Sequence, residues 1–289
     1  MIRLSRPGDD AALQHLWQVA FGDTQTTIDD FFSHLYQPGN AIVWAEDEIV
    51  ASAIYLLDAG TFPPSANKAA PGRVLRASYS YALATLPDHR GRGLGAAVTT
   101  AAIRRSAELG FDCNLICPAE EGLFAYYTRL GYHHTFSIAS GELSRFDAPE
   151  HLDVCRIMST DLSAYSQLRQ PHLPASALVY PSLFLRYMAH RAELSGGGLY
   201  RLELEGQTGC AAVERWENQL FVREILPASL AKPGTLALLT HFDAESAHFR
   251  TTPSNAPSFS LYTRPFVLMA TTAEHPLISA DRYAPFVLD

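Results

Sequence analysis

The sequence predicts an α/β protein, with α+β elements around a mixed sheet, built from two successive globular units. Short apolar runs typical of buried strands alternate with amphipathic helical runs along the 289 residues. A polar, turn-rich stretch at residues 144–153 separates residues 1–143 from residues 154–289. The order of elements in the second part loosely repeats that of the first. We therefore predict two domains joined by a linker, each long enough to enclose a core.

The N-terminal part of the first unit combines short strands with two helices. Residues 2–4 form an apolar run, which predicts an opening strand. Apolar residues recur every three or four positions over residues 11–21 and again over 27–36, which predicts two amphipathic helices. Residues 41–46 and 48–57 are apolar runs separated by a single acidic residue, and they predict a pair of strands.

The rest of the first unit alternates strand and helix. Residues 58–73 are rich in proline, glycine and alanine and lack periodicity, so we predict a loop. Strands and helices then alternate, at residues 74–85, 94–109, 114–117, 121–130 and 132–140. The order of the whole unit is therefore β-α-α-β-β-β-α-β-α-β.

The second unit shows similar but weaker patterns. Its predicted helices lie at residues 161–170, 182–192 and 235–241. Its predicted strands lie at residues 154–158, 199–203, 209–214, 220–226 and 258–270, and in the tail 282–289. An α+β lid of unrelated fold is an alternative for this half.

The strongest functional feature of the sequence is a glycine-rich loop between the fourth strand and the third helix. Residues 87–96 read P-D-H-R-G-R-G-L-G-A. Glycines let the backbone approach a ligand closely, and the N–H groups and dipole of a helix start favour an anion. The loop is therefore predicted to hold the pyrophosphate of a nucleotide-containing cofactor.

Two interpretations of this loop imply different cofactors. The letters G-x-G-x-x-A at residues 91–96 match the dinucleotide fingerprint of a Rossmann unit. That fingerprint follows its strand at once, and an acidic residue ends the next strand. Here several residues intervene, and Asp112 precedes the next apolar run. This context favours the other spelling, R-x-x-G-x-G at residues 90–95.

A second motif follows downstream. Residues 121–132 read E-G-L-F-A-Y-Y-T-R-L-G-Y, the pattern aromatic-Tyr-x-x-x-Gly-aromatic. Together with the R-x-x-G-x-G loop, it resembles the GNAT superfamily of N-acyltransferases. The resemblance implies a GNAT fold for residues 1–143 and acetyl-CoA as the co-substrate.

The second unit resembles a degenerate GNAT-like domain. Residues 227–234 stand where its phosphate loop should fall, and they carry no R-x-x-G-x-G. The two-unit plan resembles tandem-GNAT proteins of the enhanced-intracellular-survival type, without their sterol-carrier-like third domain. In this plan, residues 154–289 form the wall of the acceptor site.

The resemblance also implies where acetyl-CoA binds. The backbone of the fourth strand's end is expected to pair with the pantetheine amides as an added strand would. The loop N–H groups are expected to hold the pyrophosphate, with the two loop arginines adding positive charge. The residues so implied are Leu83, Ala84, Thr85, Arg90, Gly91, Arg92, Gly93, Leu94, Gly95 and Ala96. For Arg92, an outward-facing solvated side chain is an equal alternative.

By the same resemblance, Tyr127 is the general acid that protonates the departing sulfur. A phenol of pKa about 10 can donate a proton without being ionised at neutral pH. Tyr126 is expected to be a packing aromatic residue. Gly131 is expected to end the helix.

The general base is less clearly marked. A protonated amine cannot attack a thioester, so a proton must leave first. The fourth strand has no carboxylate, but Tyr79, Ser80 and Tyr81 could hold a water molecule. In the tandem relatives the terminal carboxylate enters the active site, which makes Asp289 a candidate catalytic residue. A frayed terminus or an edge strand is the alternative.

Composition limits the partners. The net charge of −8 gives no basic face for nucleic acid, and no apolar run is long enough to cross a bilayer. The four cysteines form no CxxC pair, and the adjacent His133 and His134 would point to opposite faces of a strand, so we predict no metal site.

We therefore expect a cytoplasmic N-acetyltransferase acting on a small-molecule or peptide amine. A non-catalytic acyl-CoA-binding or regulatory module is the alternative. The sequence leaves open whether the chain assembles with copies of itself.

Overall fold

A twelve-stranded mixed sheet runs through the described part of the chain. The computed structural model describes residues 1–47, 49–63, 73–147, 155–253, 262–271 and 282–288. Its strands are β1 (Ile2–Leu4), β2 (Ala41–Glu46), β3 (Ile49–Phe62), β4 (Leu75–Thr85), β5 (Cys113–Ile116), β6 (His133–Ser144), β7 (Arg156–Ser159), β8 (Gly198–Leu204), β9 (Gln207–Trp216), β10 (Gln219–Leu226), β11 (Ser246–Thr251) and β12 (Tyr262–Thr271). Its helices are α1 (Asp10–Phe21), α2 (Gln25–His34), α3 (Leu94–Glu108), α4 (Glu121–Arg129), α5 (Leu162–Arg169), α6 (Ser182–Leu194) and α7 (Ala231–His241). The strand order is β1-β2-β3-β4-β5-β12-β6-β11-β10-β9-β8-β7.

The first unit confirms the predicted order β-α-α-β-β-β-α-β-α-β. Strands β1 to β4 are antiparallel neighbours, and β4 and β5 pair in parallel. The two helices before β2 pack through aromatic side chains: Trp17 of α1 lies 4.7 Å from Phe31 of α2, measured between ring centroids. Helix α3 ends at Glu108, and Gly110 adopts a left-handed φ of +77° as expected of a terminating glycine.

The predicted loop at residues 58–73 is wrong for its first part. Strand β3 continues to Phe62 and pairs with β4, with Asp58 opposite Ser78 and Thr61 opposite Arg76. The continuation of β3 was not visible in the sequence, because Ala59 and Gly60 interrupt the alternation of apolar and polar residues. Backbone pairing between two strands does not require that alternation. Residues 64–72 of the predicted loop lie outside the described residues.

The second unit has the predicted helices and most of the predicted strands, with two corrections. Strand β11 is an additional strand, which pairs in parallel with β10. The tail at 282–288 is not a strand, although it is buried: it makes a single bridge, between Arg282 and Phe136. Its burial explains its apolar composition, which had indicated a strand.

Strand β12 joins the two units. It lies between β5 and β6 of the first unit and runs antiparallel to both. The largest buried cluster likewise contains residues from both halves, including Trp17, Phe31, Phe184 and Phe286. The domain boundary at 144–153 stays a prediction, and residues 148–153 of that linker lie outside the described residues.

Candidate active site

A cleft opens where two parallel strands separate. Strands β4 and β5 pair from Ala77 opposite Cys113 to Ser80 opposite Ile116, and β4 then continues alone on that side. A bulge accompanies the separation: Ala82 has a φ of +50°, at a shift in the register between β3 and β4. The cleft has a volume of about 990 Å³.

The end of β4 supplies one side of this cleft. Leu83 lines it, as predicted for a pantetheine contact. Ala84 pairs with β3, and its carbonyl accepts a hydrogen bond from Ser52 Oγ at 2.7 Å. The Thr85 carbonyl accepts from Arg90 Nε at 3.3 Å. Of the three predicted residues on this strand, Leu83 therefore stands nearest to a ligand in the cleft.

The glycine loop is open to solvent around its two left-handed glycines at the start of α3. Gly91 and Gly93 have left-handed φ angles of +74° and +76°, and a Cβ on either would meet nothing within 4 Å. Gly93 is the N-cap, and the first helical hydrogen bond runs from Ala97 N to Gly93 O at 3.0 Å. The N–H groups of Leu94, Gly95 and Ala96 precede that bond, so they have no acceptor within the helix. No acidic residue occupies the first turn of α3, which leaves its dipole available to an anion.

The two loop arginines have different surroundings. The Arg92 guanidinium forms an ion pair with Glu46 of β2, and this pairing lowers the pKa of the Glu46 carboxyl. His89 Nε2 lies 3.7 Å from the same carboxylate. Arg92 is thus exposed and ion-paired with Glu46. The sequence had suggested either a contact to the pyrophosphate or a solvated side chain, and neither included this ion pair. Arg90 lies against the end of β4, through its bond to Thr85.

Gly95 links the loop to the cleft. A Cβ at this position would lie 3.3 Å from the Tyr126 hydroxyl, 3.6 Å from Thr85 Oγ1 and 3.9 Å from Leu83 Cδ2. The absence of a side chain therefore lets α4 approach the start of α3. Tyr126 is a packing residue, as expected. Its hydroxyl lies beside Gly95 of the glycine loop, and the sequence did not indicate this contact.

Tyr127 of α4 also lines the cleft. It is only 6% exposed, and its ring packs edge-on against Tyr132 with 5.8 Å between centroids. Burial raises the pKa of Tyr127 well above that of a free phenol. The hydroxyl therefore keeps its proton at any physiological pH.

A buried polar cluster fixes the point where β4 and β5 separate. Asn114 Oδ1 accepts hydrogen bonds from Ser80 Oγ at 2.9 Å and from the Tyr132 hydroxyl. Asn114 Nδ2 donates to Ser78 Oγ at 2.9 Å and to Ser106 Oγ at 3.2 Å. All four hydrogen-bonding positions of this buried amide are thus satisfied. The cluster holds β4, β5 and α3 together, and Ser80 also lines the cleft beside Tyr79 and Tyr81.

The far wall of the cleft comes partly from the second unit. Arg264, Pro265 and Phe266 of β12 line it, together with Leu288 of the tail. Aromatic and acidic side chains from elsewhere in the chain complete the wall, namely Trp17, Phe21, Asp23, Glu120, Glu121 and Phe124. From the sequence, we predicted that the second unit forms the wall of the acceptor site, but we identified none of these residues. They reach the cleft through pairing with strands that are distant in the chain.

The tail is held by buried polar groups. Tyr283 donates to Glu224 Oε1 at 3.0 Å, and the same carboxylate pairs with Arg169. The Tyr180 hydroxyl contacts both the N–H and the carbonyl of Phe286, at 3.0 Å each. These contacts fix the chain up to Leu288 at the cleft. Asp289, the candidate base, lies outside the described residues.

The four cysteines are free thiols. Among the described residues, no helix is long and apolar enough to span a membrane.

The N-terminal half matches a known family. Residues 1–135 match the family described as "Acetyltransferase (GNAT) domain". No curated protein sequence matches the chain.

Solved structures share the fold over nearly the whole chain. A GCN5-related N-acetyltransferase from Anabaena variabilis superposes with a TM-score of 0.67 at 14% identity, covering 94% of this chain and 73% of that one. A GCN5-related N-acetyltransferase from Kribbella flavida gives a TM-score of 0.64 at 16% identity, covering 93% and 70%. Eis1 from Mycobacterium abscessus gives a TM-score of 0.61 at 12% identity, covering 94% and 74%. At such low identities, the likeness concerns the fold.

Proposed function

Because residues 1–135 belong to the GNAT family of acetyltransferases, we propose that this chain moves an acetyl group from acetyl-CoA to a primary amine. One observation supports this most strongly. The separated end of β4 and the buried Tyr127 line one cleft of about 990 Å³, and the open glycine loop lies beside that end of β4 without itself lining the cleft. Leu83 connects the cleft to the glycine loop, because it lines the cleft and also lies beside Gly95 of the loop.

The residues at the loop fit a coenzyme A pyrophosphate. The N–H groups of residues 91–96 would bind its oxygens, as helix starts commonly bind phosphates. The space around Gly91 and Gly93 admits the close approach that such binding needs. Arg90 adds positive charge near the loop. The charge of Arg92 is largely balanced by its ion pair with Glu46, so Arg92 contributes less to binding an anion. The backbone edge at Leu83 would pair with the pantetheine amide groups.

In the proposed reaction, the amine attacks the thioester carbonyl directly. A nitrogen–carbon bond forms and the carbon–sulfur bond breaks, with the electron pair leaving on sulfur. Tyr127 gives its proton to that sulfur and recovers one derived from the amine through solvent. Backbone N–H groups near the β4 bulge polarise the carbonyl. Most of the rate enhancement comes from holding the two reactants in contact.

The amine must lose a proton before it attacks. Asp289 is proposed as the group that accepts it, directly or through water held by Ser80 and Tyr81. Two contacts support this: Leu288 lines the cleft, and Ser80 donates its own proton to Asn114, so that its lone pairs can accept from a water molecule. Asp289→Asn removes the side-chain carboxylate, and deletion of Asp289 displaces the terminal one; at least one of these two changes should lower kcat more than the KM for acetyl-CoA.

The wall of the cleft supports a cationic acceptor. Asp23, Glu120 and Glu121 line it with negative charge that exceeds the single positive charge of Arg264, and aromatic side chains, which attract ammonium groups, lie beside them. A small-molecule or peptide amine with an apolar body next to its amino group fits this lining.

The proposal is tested by thiol release from acetyl-CoA in the presence of a panel of alkyl diamines, amino sugars and lysine peptides. Release that depends on both the amine and Tyr127 supports an acetyltransferase. Calorimetric binding of acetyl-CoA without turnover on any amine would instead support an acyl-CoA-binding module.

A further inference from the structure

Three potential metal ligands meet where helices of the two units touch. Asp30 and His34 lie four residues apart on α2, so their side chains share one face of that helix. His190 comes from α6 in the second unit. Its Nε2 lies 2.7 Å from Asp30 Oδ1, and His34 Nδ1 lies 3.3 Å from the same oxygen. One ligand atom from each residue lies within 4.8 Å of the other two.

Hydrogen bonds hold the group together in the absence of an ion: His190 Nε2 contacts Asp30 Oδ1 at 2.7 Å, and His34 Nδ1 contacts the Asp30 backbone carbonyl at 2.8 Å. The two imidazole rings lie 4.6 Å apart between centroids, with 32° between their planes. If both rings were protonated, two positive charges would repel each other beside one carboxylate. Two neutral imidazoles and a carboxylate are instead a ligand set that divalent transition metals prefer.

The surroundings suit an ion that enters from solvent. The Asp30 side chain is 9% exposed, whereas His34 and His190 are 44% and 39% exposed. The carboxylate of Asp30 is therefore fixed by its buried surroundings, whereas the two exposed imidazoles are free to rotate toward an ion. Tyr187 of α6 hydrogen-bonds to Asp30, the kind of outer contact that orients a metal-binding carboxylate.

We propose that Asp30, His34 and His190 bind a divalent transition metal, with zinc as the representative ion, and so clamp α2 to α6. Ligand atoms around tetrahedral zinc lie about 3.4 Å apart, given bonds of about 2.1 Å. The 3.3 Å between His34 Nδ1 and Asp30 Oδ1 is already close to this value, whereas the 2.7 Å at His190 is a direct hydrogen bond that the ion replaces as the imidazoles turn. Water fills the remaining position. None of the three residues lines the catalytic cleft, so the site is separate from acetyl transfer.

The test is zinc titration of the full chain, freed of any affinity tag and stripped with a chelator, by calorimetry. The wild-type protein should bind one equivalent, and His34→Gln and His190→Gln should each weaken binding by about tenfold or more, since loss of an outer contact alone costs that much. The matched control is His248→Gln: His248 Nδ1 lies 3.1 Å from Glu142 Oε1 at similar exposure, but that pair belongs to no group of three ligands among the described residues.

Cobalt(II) provides a second readout that does not depend on the variants. The wild-type protein should develop the visible absorption of a four- or five-coordinate cobalt site, and zinc should displace it. Two results would overturn the proposal. One is equal zinc affinity in wild type, His34→Gln and His190→Gln; the other is wild-type cobalt spectra identical to those of the aqueous ion.

Discussion

Removing the Tyr127 hydroxyl is the most direct perturbation of the proposed chemistry. Tyr127→Phe deletes one oxygen and keeps the ring, which is buried and packed against Tyr132. The fold and the acetyl-CoA loop should therefore be retained. What is lost is the only proton that this side chain can give to the departing sulfur.

The expected magnitude follows from the usual contribution of a general acid to a rate. Burial keeps the pKa of Tyr127 well above its usual value, so the phenol is fully protonated from acid to mildly alkaline pH. General acid catalysis contributes about 10²–10⁴-fold to a rate. We expect kcat to fall by about 100-fold, equivalent to about 2.7 kcal/mol of barrier, while the dissociation constant of acetyl-CoA changes by less than about threefold.

The assay is steady-state thiol release, with acetyl-CoA affinity measured separately by calorimetry. Tyr126→Phe is the matched control, because it removes the neighbouring hydroxyl, which lies at Gly95 instead of in the cleft. Its kcat should stay near wild type. An unchanged kcat in Tyr127→Phe would refute the role of Tyr127, and so would equal losses in the two variants.

Three further changes test other parts of the structure. Gly93→Ala places a side chain at a φ of +76°, which costs about 1–2 kcal/mol of stability, and it should raise the KM for acetyl-CoA about tenfold. Its control is Gly206→Ala, at a φ of +81° in a remote turn, which should lower the stability by a similar amount and leave the KM unchanged. Glu224→Gln leaves Arg169 as an unpaired buried charge and should lower the free energy of unfolding in urea by about 3–5 kcal/mol; a loss below about 1 kcal/mol would contradict the cluster's structural role. A fragment of residues 1–143 lacks β12 and should aggregate on expression, as judged by size-exclusion chromatography; a monomeric, folded fragment would contradict the importance of β12.

Local chemistry made the backbone geometry of the glycine loop predictable from sequence. Gly91 and Gly93 are needed for their left-handed backbone, and such a requirement is visible in the letters themselves. Tyr127 is marked by its fixed distance from Gly131, which follows the end of α4. Each of these signals lies within a few residues of the structure that it specifies.

The far wall of the cleft depends on contacts between distant residues. Phe266 reaches the cleft because β12 pairs with β5 and β6, and no local pattern specifies which strands will pair. His190 meets Asp30 across 160 residues of chain, so the metal-ligand group had no sequence spacing that could reveal it. Strand β3 was underestimated at Ala59 and Gly60 for the related reason that its neighbour β4 determines its length.

The position of β12 also constrains the order in which the protein can be assembled during synthesis. Translation at about 5–20 residues per second needs on the order of ten seconds to pass from the end of β6 to the end of β12. Throughout that interval the facing edges of β5 and β6 have no partner, and unpaired edges invite association with other nascent chains. The glycine loop can form early from local contacts, but the sheet beneath the cleft closes only after residues 262–271 leave the ribosome. Chaperones that recognise open strand edges therefore have a defined time window on this chain, and slowing translation should widen it.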